Sequence, residues 1–281
     1  MPKKINWQTI KKYKTQGKKV AMLTCYDYSM ANLLEKAGVD SLLVGDTLGQ
    51  LVLGYPSTIH AKMDIMIALT AAVRRGAPNV CLMGDMPFLS YQVSIEQAII
   101  NAGRFMTEGG CDVVKIEVDS RHLDVVAAMA RAGIPVVAHL GFKPQSATLQ
   151  EKMVATRQID HARQLINDAE NMVKAGACGL LLECVTANTA KAVTKRTDVP
   201  VISCGSGPDC DGQVLVLHDM LNLAGAANPK FNKTYANIGQ AITDAAKQYA
   251  KEIHTKKFPT EINCYNMTAN DQKEFQNWLD K

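Results

Sequence analysis

Short apolar runs that each end on a polar residue recur along this chain, and that recurrence limits what it can fold into. Leu42-Leu43-Val44-Gly45 leads into Asp46, and Asn79-Val80-Cys81-Leu82-Met83-Gly84 into Asp85. Val113-Val114-Lys115-Ile116 leads into Glu117, Pro135-Val136-Val137-Ala138 into His139, and Gly179-Leu180-Leu181-Leu182 into Glu183. Each run is too short for a helix and is bounded by turn residues, the pattern of a strand buried on both faces of a parallel sheet. Five such strands hand a polar group to the same end, and in parallel α/β proteins that end carries the chemistry.

Helical patterns separate the runs. Asp27 or Ser29 caps a helix over 30–36 that stops at Gly38, and Asp64 caps one reaching Arg75. Ser94 opens a helix to Glu108, and further helices are expected over 122–132, 159–174, 188–195, 236–252 and 269–279. Val20–Cys25, Pro200–Cys204 and Gln213–Leu217 complete a set of strands alternating with helices. The expected fold is a (β/α)8 TIM barrel forming a single domain over 1–281, with an N-terminal helix in 1–19 and a C-terminal helical extension over 260–281. One feature resists. Only a short glycine-rich loop separates the last two strands, whereas a parallel crossover normally takes about a dozen residues. Either that crossover is reduced to a turn or one strand is misread; a doubly wound open sheet is the alternative.

Composition narrows the function. With 47% apolar residues over 281 positions, a large core can be buried. A net charge of +4 lacks the concentrated basic face of a nucleic-acid binder. No apolar run approaches the ~20 residues of a membrane span, and the lysine-rich first twenty residues hold no secretory apolar segment. The eight cysteines form no Cys-x-x-Cys motif and sit largely in apolar runs, so free thiols in a reducing, cytoplasmic setting are expected. A disulfide or metal pair between Cys204 and Cys210 is the weaker reading.

On a barrel, Asp46, Asp85 and Glu117 come from successive strands and point into one pocket. Three carboxylates together repel unless protons or a cation intervene. Hard oxygen donors without a Cys or His pair suit Mg²⁺, which takes one or two carboxylates plus waters and substrate oxygens. Each acid alone could equally cap the helix that follows it; their shared position favours metal: Asp46, Asp85, Glu117. Asp85 lies past its apolar run, so its removal should open no core cavity and, without a cation, should relieve repulsion. Lys115 lies two residues before Glu117, on the same face of its strand. A lysine inside a barrel needs an acid or an anionic substrate. His139 is a substrate contact by its place in the cluster, and Glu183 is the candidate general acid or base. Gly205-Ser206-Gly207 follows the seventh strand, where barrels often bind phosphate, but a simple turn is the better reading.

Several stretches together resemble the ketopantoate hydroxymethyltransferase family, within the phosphoenolpyruvate mutase and isocitrate lyase superfamily. The carriers include Thr24-Cys25-Tyr26-Asp27-Tyr28-Ser29, Leu43-Val44-Gly45-Asp46-Thr47-Leu48-Gly49 and Gly84-Asp85-Met86-Pro87-Phe88. They continue with Val114-Lys115-Ile116-Glu117, His139-Leu140-Gly141 with Pro144-Gln145-Ser146, Leu182-Glu183-Cys184-Val185 and Asp211 to Asp219. The resemblance spans Lys12 to about Pro259. It implies hydroxymethyl transfer from 5,10-methylenetetrahydrofolate to 3-methyl-2-oxobutanoate through a Mg²⁺-stabilised enolate, giving 2-dehydropantoate for pantothenate synthesis. It further implies Mg²⁺ on Asp46, Asp85 and Glu117, substrate contacts from Asp46, Thr47, Asp85 and Lys115, and Glu183 as the catalytic acid/base. Thr47 stands where the family usually has serine. A homo-oligomer, a decamer in the family, is expected. Ile59–Met63, Ala68-Leu69 and Leu149–Arg157 depart from the family pattern, on loops around the metal residues rather than at them. The same acids suit a Mg²⁺-dependent C–C lyase or mutase on a related 2-oxo acid without folate. A catalytically silent barrel serving as a binding or assembly protein is the third reading, and the retained acids argue against it.

Overall fold

The computed structural model describes residues 4–146, 158–223 and 229–281. In chain order, α1 (Trp7–Thr15) precedes β1 (Val20–Thr24), α2 (Tyr28–Lys36), β2 (Ser41–Val44) and α3 (Leu48–Leu51). Then come α4 (Met63–Gly76), β3 (Cys81–Asp85), α5 (Ile95–Thr107), β4 (Val113–Glu117), α6 (Leu123–Arg131) and β5 (Val136–Gly141). The chain continues through α7 (Ile159–Ala175), β6 (Gly179–Glu183), α8 (Ala187–Arg196), β7 (Val201–Cys204), β8 (Gly212–Leu215) and α9 (Leu217–Met220). It ends with α10 (Ile238–His254) and α11 (Ala269–Leu279). All strand pairs are parallel, and β8 pairs with β1, so the sheet closes as a (β/α)8 barrel in the order β1 to β8.

Side-chain alternation along each strand builds two cores. Met22, Leu43, Met83, Val113, Val137, Leu181, Ile202 and Val214 point inward and pack together inside the barrel. Leu42, Val44, Leu82, Val114, Ile116, Val136, Leu180 and Val201 belong to the larger core beneath the helices. The inward positions turn ionisable at the carboxyl ends of the strands. Met83 is followed by Asp85, Val113 by Lys115 and Glu117, Val137 by His139, and Leu181 by Glu183.

The amino end of the barrel is closed by α1. Asn6 caps that helix through the amide of Thr9, and buried Trp7 and Ile10 join the inner core. The Trp7 Nε1 donates to the Cys178 carbonyl at 3.0 Å, and its ring lies where a Cβ on Gly179 would stand 2.4 Å from it. Trp7→Ala is therefore expected to cost about 3–5 kcal/mol, the range for a large aromatic lost from a core. A urea unfolding midpoint unchanged from the parent would show that α1 is an appendage and not a plug.

The short β7–β8 connection is a real parallel crossover without a helix. Ile202 pairs with Gly212 and Ser203 with Gln213. Asp211 makes it possible: its Oδ2 accepts from the Val201 amide at 2.9 Å and from Lys14 Nζ at 2.8 Å, which anchors the turn to α1. Ser206 is spent on structure. Its Oγ donates to the Leu182 carbonyl at 2.8 Å and accepts from the Val185 amide at 3.0 Å, in keeping with a turn and not a phosphate site.

Between β2 and α4 the chain holds α3 and a 3-10 turn over Thr58–His60. One local expectation shifts. Asp64 sits in the first turn of α4, whose N-cap is Lys62. The long helix α10, which follows α9, has no buried residue, and Ile238, Ile242, Tyr249 and Ile253 lie exposed along one of its faces. Ala21 on β1 and Gln213 on β8 are correspondingly exposed, unlike the outward positions of β2, β3 and β4.

Candidate active site

A cavity of about 840 Å³ opens at the carboxyl ends of the strands, and Asp46, Thr47, Asp85, Lys115, Glu117, His139 and Glu183 all line it. Every site residue expected from the sequence is thus brought to one place. Asp85 and Glu117 are the last residues of β3 and β4, and His139 and Glu183 lie near or at the ends of β5 and β6. Asp46 and Thr47 lie just past β2, at the entry to α3.

Polar contacts fix the acids in different ways. Asp85 Oδ1 accepts from Lys115 Nζ at 2.6 Å, and both side chains are almost wholly buried. Its Oδ2 accepts from the Asp46 amide at 3.1 Å, so Asp85 also clamps the turn that carries Asp46. Burial pushes the Asp85 carboxyl up to about 7; the Lys115 charge opposes this and the Asp46 charge adds to it. Burial likewise disfavours the Lys115 charge, yet Asp85, Asp46 and Glu117 outweigh it and hold the ammonium protonated.

Glu117 Oε2 accepts from the Gln145 amide at 3.0 Å, whereas Oε1 is buried without a hydrogen-bond partner. His139 stands between two acids, with Nδ1 3.6 Å from Glu117 Oε1 and Nε2 3.3 Å from Glu183 Oε2. Neither contact has hydrogen-bond geometry, and both ring nitrogens are buried without a partner. Burial and the Lys115 charge push the imidazole down, but Glu117 and Glu183 prevail and the net shift is upward. Thr47 Oγ1 shares a hydrogen bond of 2.5 Å with Tyr26, whose phenol burial pushes well above its usual range.

Backbone geometry holds Glu183 in place. The next residue, Cys184, is left-handed at φ 52°, a costly conformation for a residue other than glycine and one that concentrates at functional sites. Opposite it, Gly141 has φ 98°, and a Cβ there would stand 2.3 Å from the Glu183 carbonyl. That carbonyl accepts from the Phe142 amide at 2.9 Å. Only glycine fits where β5 ends against β6.

No group of three or more His, Cys, Asp or Glu residues is placed to hold a metal ion by itself among the described residues. Each Asp85 oxygen accepts one hydrogen bond, from Lys115 and from the Asp46 amide, which leaves each a second lone pair. Cys204 and Cys210 are free thiols, as are the other cysteines.

Sequence reasoning missed two polar residues. Gln145 and Tyr91 are both buried against the acids. Gln145 lies in a turn just after β5; the resemblance includes it in Pro144-Gln145-Ser146 but gives it no role. Tyr91 gives no sequence signal. Ser57 and Thr58, beside the divergent stretch 59–63, also line the cavity, and both hydroxyls are buried without partners. The divergent stretch 149–157 lies outside the described residues.

Comparison with known proteins bears on the fold and the family. Solved structures share the fold at low identity. A phosphonopyruvate hydrolase in complex with oxalate and Mg²⁺ superposes with a TM-score of 0.61 at 12% identity, over 97% of this chain and 95% of that one. A 2,3-dimethylmalate lyase of the phosphoenolpyruvate mutase/isocitrate lyase superfamily gives 0.59 at 14%, over 98% of each. Sequence relatives are much closer. The 3-methyl-2-oxobutanoate hydroxymethyltransferase of Acetivibrio thermocellus is 46% identical over 90% of this chain and 90% of its own length. That of Desulfotalea psychrophila is 48% identical over 88% of each. The family model described as Ketopantoate hydroxymethyltransferase matches residues 4–261, and the chain belongs to that family.

Proposed function

We propose that this enzyme transfers a hydroxymethyl group from 5,10-methylenetetrahydrofolate to 3-methyl-2-oxobutanoate, giving 2-dehydropantoate for pantothenate synthesis. The observation that carries the reading is the collection of Asp46, Thr47, Asp85, Lys115, Glu117, His139 and Glu183 around one cavity of a chain in this family. The donor set fits Mg²⁺. Asp46, Asp85, Glu117 and Glu183 line the same cavity as Lys115, and the buried Glu117 Oε1 has no partner. The residues that would hold the ion are Asp46, Asp85 and Glu117, with the remaining positions left to water and substrate oxygens. When bound, Mg²⁺ would supply the positive charge that acidifies the C–H beside the keto group.

The protein's own groups do the rest. Lys115, held by Asp85, places an ammonium where negative charge develops on the substrate oxygen. Thr47 and His139 contact the substrate. Glu183, backed by His139, moves the proton, as general base toward C3 or as general acid toward the folate nitrogen. The decisive assay supplies purified protein with 3-methyl-2-oxobutanoate, methylenetetrahydrofolate and Mg²⁺ and follows 2-dehydropantoate. Cleavage of a related hydroxy acid without any folate-dependent turnover would replace this reading with that of a lyase.

Cytoplasmic location is part of the proposal. All eight cysteines are free, and no described helix is long and apolar enough to cross a membrane. A homo-oligomer is proposed as well, supported by the exposed apolar face of α10 and by Phe275, Trp278 and Leu279 exposed on α11. Sedimentation at micromolar concentration should give a mass several times the 30.6 kDa of one chain, and a monomer would refute the assembly.

A further inference from the structure

Gln145 ties together acids that arrive from different strands. Its side-chain Nε2 donates to Asp46 Oδ2 at 2.9 Å and to the Met86 carbonyl at 3.0 Å. Its backbone amide donates to Glu117 Oε2 at 3.0 Å. Its Oε1 accepts from the Tyr91 hydroxyl at 2.9 Å. Neither partner of Nε2 can donate, so the orientation of the amide is dictated: nitrogen toward Asp46 and Met86, oxygen toward Tyr91. Gln145 is 3% exposed and Tyr91 1%, so these bonds are shielded from water.

Tyr91 completes the support. Its hydroxyl lies 3.1 Å from both the amide and the carbonyl of Glu117. The phenol accepts from the Glu117 amide and gives its single proton to Gln145 Oε1, the nearer of its two acceptors. The loop that delivers it is tightly held. Asn101 Nδ2 donates to the Ser90 carbonyl at 2.7 Å, Ser90 Oγ donates to the Pro87 carbonyl at 2.6 Å, and Leu89 is left-handed at φ 63°. A non-glycine residue in that region is a local cost that the surrounding contacts offset.

The consequence concerns which carboxylate oxygens remain for a ligand. Gln145 occupies Oδ2 of Asp46 and Oε2 of Glu117, while Oε1 of Glu117 is left buried and unpartnered. We infer that Gln145, braced by Tyr91, is a positioning residue that fixes the rotamers of Asp46 and Glu117 so that their other oxygens are presented to the cation. This rests on the Mg²⁺ reading above. Groups that orient metal ligands from outside commonly change metal affinity by about 10–100-fold when removed.

Calorimetric titration of the metal-free protein with Mg²⁺ tests this without any turnover. Gln145→Met keeps the side chain's length but removes both donors, and Tyr91→Phe keeps the ring but removes the brace. Gln145→Met should weaken Mg²⁺ binding by about 10–100-fold and Tyr91→Phe by less, with near-UV circular dichroism like the parent's. Should Gln145→Met instead lower the metal-free melting temperature and keep the parent's Mg²⁺ affinity, the residue is structural and the inference is overturned. If Gln145→Met fails to fold, parental affinity in Tyr91→Phe overturns it in the same way. If the parent itself binds no Mg²⁺, the metal reading fails first and this inference falls with it, an outcome distinct from the other two.

Discussion

Asp85→Ala should abolish Mg²⁺-dependent exchange of the C3 proton of 3-methyl-2-oxobutanoate with solvent and should also destabilise the protein. Exchange isolates the first half of the proposed reaction because it needs no folate. Losing a proposed direct ligand should weaken cation binding by at least the ~10–100-fold seen when outer partners are disturbed. Asp85 also aligns Lys115, 2.6 Å away, and the Asp46 amide, 3.1 Å away, so three elements of the site shift with one substitution. The stability forecast differs from the one position alone gives. An acid at a loop junction opens no cavity when removed, and relief of repulsion would even favour the fold. The structure reverses that sign, because the substitution strands the buried Lys115 ammonium without its partner. Breaking a buried pair from one side typically costs ~3–5 kcal/mol. Parental exchange with parental Mg²⁺ dependence would make Asp85 a structural acid and sink the proposed metal site.

Glu183→Gln should lower turnover by roughly 10²–10⁴-fold, the usual contribution of a general acid or base. The replacement has the same shape, and the Glu183 side chain is 13% exposed, so the fold should hold. Its backbone is fixed independently, by left-handed Cys184 and by the carbonyl contact to Phe142. The informative comparison is between C3 proton exchange and the full folate-dependent reaction. Equal losses in both assign the C3 proton to Glu183. A loss confined to the full reaction assigns Glu183 to the one-carbon donor. Parental rates in both assays would remove it from the chemistry, leaving it as a partner of His139, 3.3 Å away.

Much of the candidate site's placement was legible because strand periodicity is local. Lys115 and Glu117 share the inward face of β4 for the same reason that Val113 does, and an apolar run ending on an acid places that acid at a strand's end. The barrel was legible from the alternation of such runs with helices, and the recognition motifs lie on the same strand ends. The β7–β8 connection was not. Whether seven residues can link parallel neighbours depends on Asp211 reaching both Val201 and Lys14, and the second of these contacts exists only once α1 has docked. The exposure of α10 was equally hidden, since its apolar stripe reads like that of any helix packed on a barrel.

What the sequence by itself determined, then, was the set of strands, the face each ionisable residue takes and the rim at which they gather. These follow from backbone geometry within a few residues and from the need to bury apolar runs. Only the tertiary structure decided which groups pair. Asp85 meets Lys115 across 30 positions and Gln145 meets Asp46 across 99, distances that closure of the whole sheet spans and no local pattern encodes. The charge state of a buried carboxylate depends on such neighbours. The contacts of Asp85, Gln145 and Tyr91 therefore became readable only when all eight strands were in register.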